Sequence, residues 1–76
     1  MNNAAAAHSN TIFSFTCNGR DYAIPQKDIA YLHPSTADNG RYFVMMKNGK
    51  QYRAENLVEI SRRLGPSGAI SVRKQF

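Results

Sequence analysis

The side chains able to do covalent or acid–base chemistry are few and poorly spaced. Cys17 is the lone thiol, His8 and His33 are the two imidazoles, and Asp21, Asp28, Asp38, Glu55 and Glu59 are scattered. A catalytic nucleophile needs a base within reach, and a structural zinc needs about four ligands at short spacings. Neither grouping is present, nor is a glycine-rich phosphate loop or a CxxC pair. Cys17 falls on the apolar side of an alternating run, where a small buried hydrophobe is favoured over a reactive thiol. His33, just before Pro34, reads as a strand-end side chain, and Asp38 as a turn residue. No catalysis and no cofactor or metal are expected.

Binding chemistry is better represented. Ten Lys and Arg face five Asp and Glu, for a net charge of +5 and a sequence pI near 9.8. Residues 1–39 carry two basic against three acidic side chains, whereas residues 40–76 carry eight against two. Such a balance suits a polyanionic partner, although basic charge also serves solubility. Lys47 and Lys50 flank Asn48-Gly49, with Arg53 further along. Asn39 lies in a polar loop at 34–40 and Arg41 adjoins it, and Arg73 and Lys74 lie near the C-terminus. Lysine and arginine can hold phosphates, and arginine or asparagine can read base edges. Lysines at a hairpin tip also protect sheet edges, an equally good reading of Lys47 and Lys50. Tyr22, Tyr31, Tyr42 and Tyr52 interleave with basic residues, a pattern able to stack on unpaired bases, but they are best read as core-edge residues with wet hydroxyls. A single-strand binder stacking bases on Tyr42 and Tyr52 is the alternative.

These residues need elements to position them. In 11–17, Phe13, Phe15 and Cys17 alternate with Ser14 and Thr16, the period of a half-buried strand. Asn18-Gly19 is a tight-turn signal, and 22–24 returns as a strand that Pro25 ends or confines to an edge. A polar connector at 26–28, long enough for one helical turn, leads to a strand at 29–33. After the loop, 41–47 and 50–54 form a hairpin about Asn48-Gly49. The stretch 55–64 changes period, with Leu57, Ile60 and Leu64 at i, i+3 and i+7, which predicts an amphipathic helix stopped by Gly65-Pro66. A last strand covers 69–74. The expected fold is mainly β with one α-helix, in the order β-β-β-β-β-α-β, as a single domain over 11–76 behind a disordered tail at 1–10.

From Tyr22 onward, about 55 residues resemble the LytTR-type DNA-binding domain of bacterial response regulators. The residues that carry the resemblance are Ile24, Asp28-Ile29-Ala30-Tyr31-Leu32, Tyr42-Phe43-Val44, Asn48-Gly49, Leu57-Val58-Glu59-Ile60 through Leu64, and the run from Ala69 to Phe76. The resemblance implies a small LytTR-like sheet domain whose loops, not a recognition helix, enter successive major grooves of duplex DNA. Its implied contacts are Asn39 or Arg41 in the first loop and Arg73 and Lys74 in the later segment. Arg73 stands where the family usually has histidine. The family also continues past the position of Phe76 with a further strand pair and contact loop.

The expected function is thus a small DNA-binding transcriptional regulator. Arg41, Lys47, Lys50, Arg53, Arg73 and Lys74 are its phosphate and groove contacts. The rival is a homodimeric protein-interaction module, an inhibitor or adaptor, that pairs its sheet edge with a second copy or another protein. An open sheet edge and a thin core in so short a chain both favour a homodimer. No apolar run reaches the roughly 18 residues of a membrane span. The N-terminus lacks the features of a secretory signal, so a cytoplasmic location is expected.

Overall fold

The structure, a computed structural model, describes residues 10–36 and 40–76. Six strands follow in chain order: β1 Asn10–Cys17, β2 Arg20–Pro25, β3 Ile29–Pro34, β4 Arg41–Met46, β5 Gln51–Gly65 and β6 Gly68–Gln75. A single 3-10 turn, Gln26–Asp28, joins β2 to β3. All pairings are antiparallel, in the order β2-β1-β5-β4-β3, with β6 off that path beside β5. β5 is the spine. β1 pairs along one of its edges, while β4 (opposite 51–55) and β6 (opposite 58–65) share the other. Of the expected tail, Asn10 opens β1 and the rest lies outside the described residues.

The two Asn-Gly dipeptides close their hairpins differently. Asn18 (φ 52) and Gly19 (φ 78) are both left-handed, as a two-residue turn between twisted strands requires. At the second, Gly49 (φ 94) has positive φ but Asn48 does not. The Gly49 N–H donates to the Met46 carbonyl at 3.0 Å, and the Met46 N–H to the Lys50 carbonyl at 2.8 Å. That is a three-residue loop ending in a left-handed glycine. The Asn48 side chain accepts from the Lys50 N–H at 2.9 Å and steadies the tip.

The expected helix is not formed. Residues 55–64 continue β5, so the return strand of the hairpin and the amphipathic stretch are one strand of 15 residues. They join at a bulge. Asn56 takes φ 54, and two residues of β5 face Phe15 between the Ser14–Val58 and Thr16–Glu55 pairs. A helix would close its hydrogen bonds internally, but here β1 and β6 satisfy both edges of β5 at once. Helix propensity is worth at most about 0.7 kcal/mol per ordinary residue, too little against a doubly paired strand with a buried Leu57. Gly65-Pro66, expected as a helix stop, instead leads into the β5–β6 turn, with Gly65 opposite Gly68. The charge order that suited a helix dipole becomes cross-strand pairing: Glu55 faces Arg41, and Glu59 faces Lys74.

The sheet cannot be flat. β2 and β3 are the two ends of a five-strand path, four steps apart. A flat sheet would hold them roughly 19 Å apart at about 4.8 Å per step. The 3-10 turn that joins them advances only about 2 Å per residue, or some 8 Å from Pro25 to Ile29. The sheet therefore curls into an open barrel, and the Lys47 N–H, donating to the Asp28 carbonyl at 3.0 Å, ties the turn to the β4–β5 loop. The inner face holds the core of Phe13, Phe15, Cys17, Ile24, Ile29, Val44, Ala54 and Leu57. Tyr22, Tyr42, Tyr52 and Phe76 pack at its margins. Ser61 is buried with them, its hydroxyl 3.3 Å from that of Thr11.

Candidate nucleic-acid interface

The outer face is set by what the inner face takes. On β4, Tyr42, Val44 and Met46 turn inward, so Arg41, Phe43 and Met45 turn out. Their cross-strand partners form rows: His33–Phe43–Arg53 and Tyr31–Met45–Gln51 across β3, β4 and β5, and Arg41–Glu55–Thr16 across β4, β5 and β1. β3 carries a second irregularity between Ile29 and Tyr31. Plain alternation would have placed Ile29, Tyr31 and His33 on one face. The irregularity sends Ile29 in and Tyr31 out, where it is 57% exposed.

This face is both aromatic and charged. The His33 and Phe43 rings lie 6.5 Å apart and within 21° of parallel. An Arg41 guanidinium nitrogen lies 2.6 Å from a Glu55 carboxylate oxygen, which offsets part of the charge at that row. Beyond the bulge, Ile60 is flanked by Ile12 and Arg73, and Arg62 by Asn10 and Ser71. Arg53, Arg41, Arg73 and Arg62 thus follow the outer side of β5. The file is roughly 27 Å long at about 3.3 Å per residue, with the bulge absorbing one residue.

The expected site residues are partly gathered. Arg41 and Arg53 share the aromatic end of this face, and Arg73 lies about 20 Å further along β5. Lys47 and Lys50 are exposed at the β4–β5 loop, at the end of the barrel nearest the Tyr31 row. Lys74 is directed to the inner side, its ammonium 5.0 Å from the centre of the Phe76 ring. Asn39 lies outside the described residues.

Tyr42 and Tyr52, the alternative stacking residues, are half-buried and turned inward. Tyr52 packs 4.9 Å from Tyr22, and Tyr42 meets Phe76 edge-on at 5.3 Å. Tyr31, expected at the core edge with the other three tyrosines, instead stands exposed on the outer face, and His33 and Phe43 were not expected as binding residues. The available signal was that 42–46 is apolar on both faces, although a lone curled sheet covers only one.

Among the described residues, no group of three or more His, Cys, Asp or Glu side chains is placed to hold a metal ion. None of their helices is long and apolar enough to cross a membrane. No protein-family model matches the chain, and no curated protein or solved structure is significantly similar to it.

Proposed function

We propose that this protein binds nucleic acid through the outer face of β3, β4 and β5 and the lysine-bearing loop beside it. The supporting observation is the row His33–Phe43–Arg53, flanked by Arg41, Lys47 and Lys50 on one end of the barrel. Cations supply the phosphate contacts that dominate affinity, and adjacent rings supply contact with bases. A duplex-DNA regulator, as the LytTR-type resemblance implies, is the narrower form of this reading. Of its two further contacts, Arg73 stands on this outer face further along the sheet, whereas Lys74 is directed to the inner side. The test is fluorescence anisotropy across a salt titration. Phosphate contacts by Arg41, Lys47, Lys50, Arg53 and Arg73 give a slope of log K against log salt of about −4.5 on duplex, and the first four of these give about −3 on a single strand. Failure to bind any oligonucleotide at about 50 mM salt refutes the proposal, since low salt favours phosphate contacts most.

One observation favours a second reading, sheet-edge pairing with another copy or another protein. Among the described residues β6 is paired only to β5, all its residues are exposed, and Leu64, Ile70 and Val72 are 68%, 50% and 45% exposed on the β5–β6 hairpin. An exposed strand edge of this kind is a template for strand addition. Replacing Lys50 and Arg53 with glutamate separates the two readings. Nucleic-acid binding should collapse, whereas self-association measured by light scattering should be unchanged.

A further inference from the structure

We infer that the outer face of β3 and β4 is a stacking platform for unpaired bases, so that the nucleic acid it takes is single-stranded. This rests on the nucleic-acid reading above and narrows it. Tyr31 and His33 stand two residues apart on the same side of β3, about 6.6 Å from Cα to Cα. Phe43 is the cross-strand neighbour of His33, and Met45 that of Tyr31. The His33 and Phe43 rings are nearly parallel, so a base laid beside either one extends a stack already begun.

Cations border the platform. Arg53 ends the Phe43 row, Arg41 lies on the same strand as Phe43, and Lys47 and Lys50 stand beyond the Met45 row. Among the described residues the nearby carboxylates are Glu55, engaged by Arg41, and Asp28 beside the loop. Positive charge therefore prevails at this end. The β1–β2 side of the outer face offers a contrast. It presents Ile12, Ser14, Thr16, Asp21, Ala23 and Pro25, with Thr16 bonded to Asp21 at 2.9 Å, and carries no aromatic side chain among the described residues. A duplex hides its base faces and offers a phosphate rail, for which lysines alone suffice. Rings interleaved with cations match a strand whose bases are free.

The test uses labelled oligo-dT of about 12 nucleotides, within the span that small β-barrel binders cover. A duplex of equal length and heparin, a polyanion without bases, are the comparisons. The single strand should bind more tightly than the duplex. Tyr31→Ala and Phe43→Leu should each weaken it roughly 5- to 150-fold, the effect of losing one base stack, while leaving heparin binding unchanged. Tyr31→Phe should retain affinity. Tyr31 is mostly exposed, so Tyr31→Ala should leave the thermal midpoint in place and serve as the fold-safe variant. Equal or tighter duplex binding, or oligo-dT affinity unmoved by both ring variants, overturns the inference while the broader reading stands. Absence of binding to all three polyanions removes both. Loss of a dimer in Tyr31→Ala with oligo-dT affinity intact assigns the face to a second copy instead, and also overturns it.

Discussion

Leu57 and Leu64 give the sharpest check on the architecture, because a helix and a strand over 55–64 make opposite demands on them. At i and i+7 on a helix they would share one buried stripe and be about equally costly to truncate. In the long strand they lie on opposite faces. Leu57 is fully buried in the barrel, and Leu64 is 68% exposed near the tip of the β5–β6 hairpin. Leu57→Ala removes a side chain whose burial is worth about 1.5–3 kcal/mol and leaves a cavity, for a total near 2–5 kcal/mol. A domain of 76 residues has a total stability of roughly 4–11 kcal/mol, so this variant should be close to unfolding. Leu64→Ala should stay within about 0.5 kcal/mol of the parent. Urea denaturation followed by far-UV circular dichroism reads both. With a slope near 1 kcal/mol per molar, suited to so small a domain, the Leu57 variant's midpoint should fall by about 2 M or more. Equal losses at the two positions would refute the strand and restore the helix.

Further outcomes follow from single features. Asn56, at φ 54 in the β5 bulge, should accept glycine at little cost, whereas Asn56→Val should cost about 1–2 kcal/mol in thermal or urea unfolding. The Arg41–Glu55 pair, with side chains 38% and 43% exposed, should show a coupling of only about 0.2–1 kcal/mol in a double-mutant cycle. That coupling should shrink in 1 M salt, where the screening length is about 3 Å. Cys17, 8% exposed in the core, should react slowly with a thiol reagent in the native protein and rapidly in denaturant.

Much of the fold was legible because its signals are local. The alternation of Phe13, Phe15 and Cys17 marked β1 and its inner face. Asn18-Gly19 marked the first turn, and Pro25 the end of an edge strand. The 41–54 hairpin and the final strand were visible in the same way. The site was less legible. Arg41, Arg53, Lys47 and Lys50 could be read from charge, but which aromatic residues share their face could not. A strand with apolar residues on both sides does not say which side another element will cover.

Local sequence therefore determined where the chain turns and which short runs are strands, since turns and two-residue periods depend on neighbouring residues alone. Tertiary structure decided the rest. Residues 55–65 pair with β1, some fifty positions earlier at Thr11–Ser61, and with β6 on the other side. A window read by itself contains neither partner, and its 3.6-residue pattern then resembles a helix. Two irregularities finished the work. The Asn56 bulge turns Leu57 into the core, and the shift between Ile29 and Tyr31 separates a buried isoleucine from an exposed tyrosine. One residue of slip exchanges the faces of a strand. The side on which Tyr31 and His33 stand, and with it the candidate binding face, was settled only when the sheet curled and chose its inside.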